Sequence, residues 1–401
     1  MFEVRPCADQ DEYSRAIGAI GQYFNPPPSD ELLVLFSRTL PHERMHAAFE
    51  DDRIVGGAGA FPFELSVPGG SLPCGGITGV GVHPTHRRRG VLRSMMDTQL
   101  RDVHERGEPI AALWASEETI YGRFGYGIAA WAGELAVPHE WDAFAQPFEP
   151  DGTTRFVTAE EAGELFPPIY DAVRRARPGM TSRNEIWWAD RQLRLPEDEA
   201  DAPKRFVVFE AGGEPLGYAI YRTHSSWEGG SSTSRLVVRE ALGATPQATA
   251  GIWRFLLDVD WMGSVEVPLA PPDHPLFLLL ASPRRMRYRM GDSLWVRLVD
   301  VPAALSGRAY GEGGPLVLEV RDAMCEWNDG RWKLVGGECV RTDEEPDLVL
   351  DVAALGSAYL GAVSFTQLRE AQRVEELREG AVARADALFA WRPLPWCLEI
   401  F

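Results

Sequence analysis

Residues 79–96 read GVGVHPTHRRRGVLRSMM, setting three consecutive arginines in a chain of formal net charge −19. Strand, tight turn, arginines, glycine, helix is an order suited to holding a phosphate. The first turn of a helix offers unpaired N–H groups and the positive end of the macrodipole. Gly90 lets a ligand approach the backbone, and Arg87 and Arg88 add charge-assisted bonds. Val80 and Val82, in the strand before the turn, would present backbone groups to an extended, amide-bearing ligand. A solvated basic turn would produce the same string with no ligand at all. His83 and His86 have a tolerable spacing for a metal, but no third ligand lies near them in sequence, so they read as turn residues and no metal is expected.

The elements that must position this turn can be read around it. HAAFEDDRIVGGAGAFPFELSVPGG reads as a β-hairpin turning at DDR, GGITGVGVHP as a third strand, and PIAALWAS as a fourth. Between the last two, Leu92, Met95, Met96, Leu100 and Val103 recur at helical spacing. Strand, helix, strand is a crossover that makes its strands parallel. The turn-rich residues 145–156 mark a first boundary, and a second α/β segment follows with its own hairpin, VVFEAGGEPLGYAIYR. That hairpin suggests a degenerate structural repeat. A third segment begins near residues 293–302 and ends in WRPLPWCLEIF, an apolar tail that two prolines hold extended. Termini are ordinarily polar and frayed, so this one is expected to be packed. The division is 1–150, 151–292 and 293–401.

Composition narrows the function classes. At 401 residues the chain exceeds one ordinary core. An acidic chain with no broad basic surface is a poor fit to nucleic acid and a better one to a cationic small molecule; acidity for solubility alone is the competing reading. No apolar run is long enough to cross a bilayer, and no secretory leader is evident, so a cytoplasmic protein without membrane partners is expected. Five scattered cysteines without a CxxC pair suit reduced thiols.

The string Arg87-Arg88-Arg89-Gly90-Val91-Leu92 resembles the phosphate motif of the GNAT acetyltransferases, Q/R-x-x-G-x-G/A, with Leu92 in place of a small residue. Downstream, SEETIYGRFGYG (residues 116–127) places Tyr121 four residues before Gly125-Tyr126, as that family places its general acid. A phenol of pKa ~10 stays protonated at neutral pH and suits protonation of a departing thiolate. Tyr126, after the glycine, reads as packing. Together with DVPAALSGRAY, LGSAYLGA and the terminal Phe401, these motifs resemble the Eis-type acetyltransferases (enhanced intracellular survival) along the whole chain.

The resemblance implies an α/β architecture of two GNAT-like domains, the second lacking the cofactor motif, then an α+β domain of sterol-carrier-protein fold. It implies acetyl-CoA as co-substrate, acetylation of amines including several positions on aminoglycosides, and a homo-hexamer. Val80 and Val82 match the pantetheine strand, Arg87, Arg88 and Gly90 the pyrophosphate loop, and Ser116 a cofactor-pocket serine. Tyr121 matches the general acid, and the carboxylate of Phe401 a terminal group pointing into the site. Asp30, Glu31 and Glu399 are candidate amine contacts. Two alternatives stay open: an apolar-ligand-binding protein using the third domain, and a protein or peptide lysine acetyltransferase.

Overall fold

The computed structural model describes residues 2–21, 30–194 and 202–401. Contacts divide the chain into two units, one of Met1–Ala130, Pro178–Ser182 and Ser293–Phe401, the other of Trp131–Arg177 and Arg183–Asp292.

The first unit is built on strands β1 (Glu3–Pro6), β2 (Met45–Glu50), β3 (Arg53–Val67), β4 (Gly70–Val82), β5 (Ile110–Trp114) and β6 (Gly127–Ile128). They form a sheet in that order, except that Leu294–Leu298 enters between β5 and β6. The β2–β3 hairpin turns at the expected DDR, with Asp51 in the left-handed region at φ 53°. Helices α1 (Gln10–Gly21) and α2 (Asp30–Thr39) precede β2, and α3 (Val91–Glu105) makes the crossover from β4 to β5. Those two strands are parallel, as the crossover required. Met95 and Val91 of α3 pack on Val55 and Val82, while Met96, Leu100 and Val103 pack on Ala60, Ile77 and Ala111.

The second unit holds a sheet ordered Arg289–Asp292, Trp131–Pro138, Ser264–Ala270, Arg235–Gly243, Glu214–His224, Arg205–Ala211, Thr153–Val157. Its core is one cluster around Trp253, Leu256 and Phe209. The two sheets share one plan, so the suspected repeat is present in the fold. They also trade a strand. Trp131–Pro138, in the first third of the sequence, pairs in the second sheet, and Leu294–Leu298 pairs in the first. The contact boundary therefore falls at Ala130 rather than within residues 145–156, and Ser293 begins by completing the first sheet.

The remainder of the first unit is a five-stranded sheet ordered Glu338–Arg341, Gly330–Val335, Leu316–Arg321, Leu348–Asp351, Val374–Glu376, with the fully buried helix Val352–Tyr359. Arg297, on the exchanged strand, ties it to the first sheet. Its guanidinium meets Asp322 at 2.8 Å, both side chains being buried, and Asn328 bonds Asp322 and the carbonyls of Leu298 and Val299. Among the described residues no helix is long and apolar enough to cross a membrane.

Candidate active site

β4 pairs with β5 only from Cys74 to Gly76, opposite Ile110 to Ala112. Beyond Gly76, β4 stays bonded to β3 while β5 stays bonded to Leu294–Leu298, so a gap opens between them. The β3–β4 register slips between Gly57 and Gly59, and Gly79 takes φ 56° opposite that slip. A bulge of this kind bends a strand and leaves backbone groups without ladder partners. Val80 and Val82 lie on the stretch beyond the slip, where the sequence placed an extended amide-bearing ligand.

The turn after Val82 leads to α3. Gly90 caps that helix at φ 89° and makes no side-chain capping bond. A left-handed residue here costs any L side chain ~1–2 kcal/mol, and nothing lies within 4 Å of where a Cβ would stand. No side chain caps the first N–H groups of α3, and Arg87 and Arg88 before them are exposed. The corresponding helix of the second unit, Pro246–Leu257, differs. Thr245 accepts a bond from the Ala248 N–H, and Pro246 has no N–H to offer. That helix end satisfies itself, which is the physical content of a missing phosphate loop in the middle of the chain.

Arg89 does not join the other two arginines. Its guanidinium pairs with Glu50, which also accepts from His86 Nε2 at 2.8 Å. His83 and His86 both bond Thr85 and serve the turn. Among the described residues no three His, Cys, Asp or Glu gather to hold a metal.

Tyr121 ends the short helix α4 (Glu118–Tyr121) that follows β5, and it is 6% exposed. It belongs to the same cluster as Ile77 and Leu113, against which Val80 packs. Tyr126 stands edge-on to it at 6.2 Å, fully buried, and burial drives its phenol pKa far up. Tyr126 is packing, as its position after Gly125 suggested. Ser116 is exposed, just past β5.

The chain terminus reaches the same region. β3 is 15 residues long, and Met180–Ser182 covers its second half through Ser66 N–H to Met180 C=O and a Leu65–Thr181 bridge. Trp396 donates its N–H to Pro178 of that strap. From this anchor the tail runs to Phe401, whose ring lies 5.1 Å from Phe63 and 6.5 Å from Phe61. Phe61 pairs with Gly76, the last residue of β4 joined to β5. The tail is thus packed at the root of the gap. Glu399, a candidate amine contact, is buried at 5% exposure while Ile400 is 59% exposed. Asp30 and Glu31 open α2, but their side chains lie outside the described residues.

Sequence reasoning missed the strap, the Phe61–Phe63 platform and Glu50. The strap has no motif, whereas Phe61 and Phe63 carry the alternation of a half-buried strand.

Family models for an acetyltransferase (GNAT) domain match residues 3–129 and again 179–298, and a sterol carrier protein domain matches residues 301–398. An uncharacterized N-acetyltransferase of Streptomyces avermitilis is 40% identical over 395 residues, covering 96% of this chain and 95% of that one. N-acetyltransferase Eis of Mycobacterium tuberculosis is 35% identical over 351 residues, covering 84% and 83%. The crystal structure of Eis1 from Mycobacterium abscessus superposes with a TM-score of 0.89 at 33% identity, over the whole of both chains.

Proposed function

The chain belongs to the Eis-type family of GNAT N-acetyltransferases, and from that premise we propose that it transfers the acetyl group of acetyl-CoA to amines of cationic small molecules, aminoglycosides at several positions foremost. The observation that carries this reading is the start of α3, where the N-cap Gly90 supplies no side-chain bond, following a strand that parts from its parallel neighbour β5, with Tyr121 in the apolar cluster that Val80 and Leu92 pack against. A self-capped helix start, as in the second unit, would have no use for a diphosphate.

In this reading the diphosphate sits on the first N–H groups of α3 with Arg87 and Arg88. The pantetheine arm runs along Val80 and Val82, past Ser116, and through the gap between β4 and β5. Successive strand residues face opposite sides of a sheet. Tyr121 clusters with Ala60 and Ile77, whereas Phe61, Phe63 and Phe401 belong to the other face. The gap joins the two, so a thioester threading it meets the acid from one side and the amine from the other.

The neutral amine attacks the thioester carbonyl carbon, and a C–N bond forms as the C–S bond breaks. The departing thiolate takes the Tyr121 proton, and the ammonium loses its own to water. A free α-carboxyl of pKa ~3.3–3.7 is a weak base for an ammonium group. The Phe401 carboxylate accordingly anchors the cation by charge and orders the water. Residues 1–150 bind acetyl-CoA, residues 151–292 form a GNAT-like body without the loop, and residues 293–401 deliver the tail. The proposal extends to a hexamer acting in the cytoplasm.

A thiol-release screen with acetyl-CoA across aminoglycosides, polyamines and lysine peptides tests the substrate class. Multiply acetylated aminoglycosides by mass spectrometry are expected. Turnover of lysine peptides alone would move the reading to a protein acetyltransferase. A co-purified lipid with no acetyl-CoA turnover would move it to an apolar-ligand carrier.

A further inference from the structure

Five side chains form one bonded chain behind the turn that precedes α3. His83 Nδ1 meets Thr85 Oγ1 at 2.8 Å, and Thr85 Oγ1 meets His86 Nδ1 at 2.7 Å. His86 Nε2 then meets Glu50 Oε2 at 2.8 Å, and the Glu50 carboxylate closes on the Arg89 guanidinium. Glu50 is the last residue of β2, far from the turn in sequence. Arg89, and after it His86, hold its carboxyl below the usual carboxylate range. A carboxylate only accepts, so His86 Nε2 carries the proton of that bond. His86 is buried, and the Arg89 guanidinium lies 5.3 Å from the centre of the Phe2 ring.

The backbone before Arg89 is costly, and the residue after it is a glycine, which takes the left-handed region without strain. Arg88 takes φ 61° and Gly90 takes φ 89°. A non-glycine residue in the left-handed region persists where its surroundings over-determine it. Here the surroundings are Glu50 and His86, which pull Arg89 and the start of the turn onto the end of β2. Arg87 and Arg88 stay exposed, and the start of α3 has no side-chain cap.

Resting on the reading of this turn as a diphosphate site, we infer that Glu50 is a positioning residue for acetyl-CoA. It touches no substrate. Through His86 and Arg89 it fixes the loop in the one shape that presents Arg87, Arg88 and the Gly90-capped helix start to a diphosphate. One of the three arginines is spent on shaping the loop so that the other two can bind.

The test measures affinity for CoA, and turnover with acetyl-CoA and with S-acetylpantetheine, which lacks the diphosphate. In the full chain, Glu50→Gln should weaken CoA about tenfold. KM for acetyl-CoA should rise by the same factor with kcat held within about twofold. Turnover of S-acetylpantetheine should match wild type, a contrast that general loosening of the fold would not give. Arg89→Lys should show the same pattern, and carries the test if Glu50→Gln loses its cooperative melt. Wild-type CoA affinity in a folded variant, or an equal loss with S-acetylpantetheine, would overturn the inference alone. A wild-type chain that binds no CoA would overturn the underlying reading and this inference with it.

Discussion

Tyr121 and Tyr126 are neighbours of the same type, and their surroundings separate them. Tyr126 is sealed in, with no hydrogen-bond partner for its hydroxyl among the described residues, whereas Tyr121 sits at the wall of the gap. The expectation that these two tyrosines differ came from the resemblance of YGRFGYG to the GNAT motif. Glu50 was not legible in the sequence, because its role depends on a strand end meeting a turn far along the chain. His46 on β2 carries a second residue-scale consequence. It is fully buried, its ring nitrogens have no hydrogen-bond partner among the described residues, and Asp102 stands 3.8 Å away. Burial lowers its pKa to about 4, outweighing the upward pull of Asp102 and helped by Arg106 and Arg44. The folded value lies below the unfolded ~6.5, so the unfolded chain takes the proton first as pH falls. Stability from this residue is therefore whole above about pH 6.5 and lost down to about pH 4. The loss at pH 5 should be about 2 kcal/mol. Denaturant unfolding at pH 7 and pH 5 measures it, and His46→Gln should shrink the difference between the two.

At the scale of elements, two glycines that look alike in sequence do different work. Gly90 is held at a positive φ with empty space beyond it. Gly90→Ala should cost ~1–2 kcal/mol of stability and a larger share of CoA affinity, since the loop rather than the core is disturbed. Gly127 is pressed on the helix Val352–Tyr359, and a Cβ there would run into the Ala353 carbonyl and Ser357. Gly127→Ala should cost about 3 kcal/mol or more, seen as a lower midpoint in thermal unfolding. Gly125 and Gly127 thus serve the docking of the helix Val352–Tyr359, whereas Gly122 has open space where a Cβ would stand. The crossover β4–α3–β5 was readable because apolar spacing and turn residues agree there. The destinations of Trp131–Pro138 and Leu294–Leu298 were not, because each is an apolar strand with nothing in its sequence to say which sheet it completes.

At the scale of the whole molecule, the first and last thirds of the chain make one unit, in which Phe401 packs on Phe61 and Phe63 of β3. The apolar, proline-bearing tail announced packing, and its anchor on Pro178 through Trp396 shows how that is done. Adding one residue after Phe401 should cut turnover strongly while leaving CoA affinity and the melting temperature near wild type; unaffected turnover would remove the terminal carboxylate from the site. The central claim, acetyl transfer with Tyr121 protonating the leaving thiolate, is tested most directly by thiol release from acetyl-CoA with an aminoglycoside acceptor in the Tyr121→Phe variant. The account predicts kcat lower by about 10²–10⁴ with CoA affinity unchanged, because the phenol touches the reacting sulfur and not the diphosphate. Wild-type kcat in that variant would contradict it.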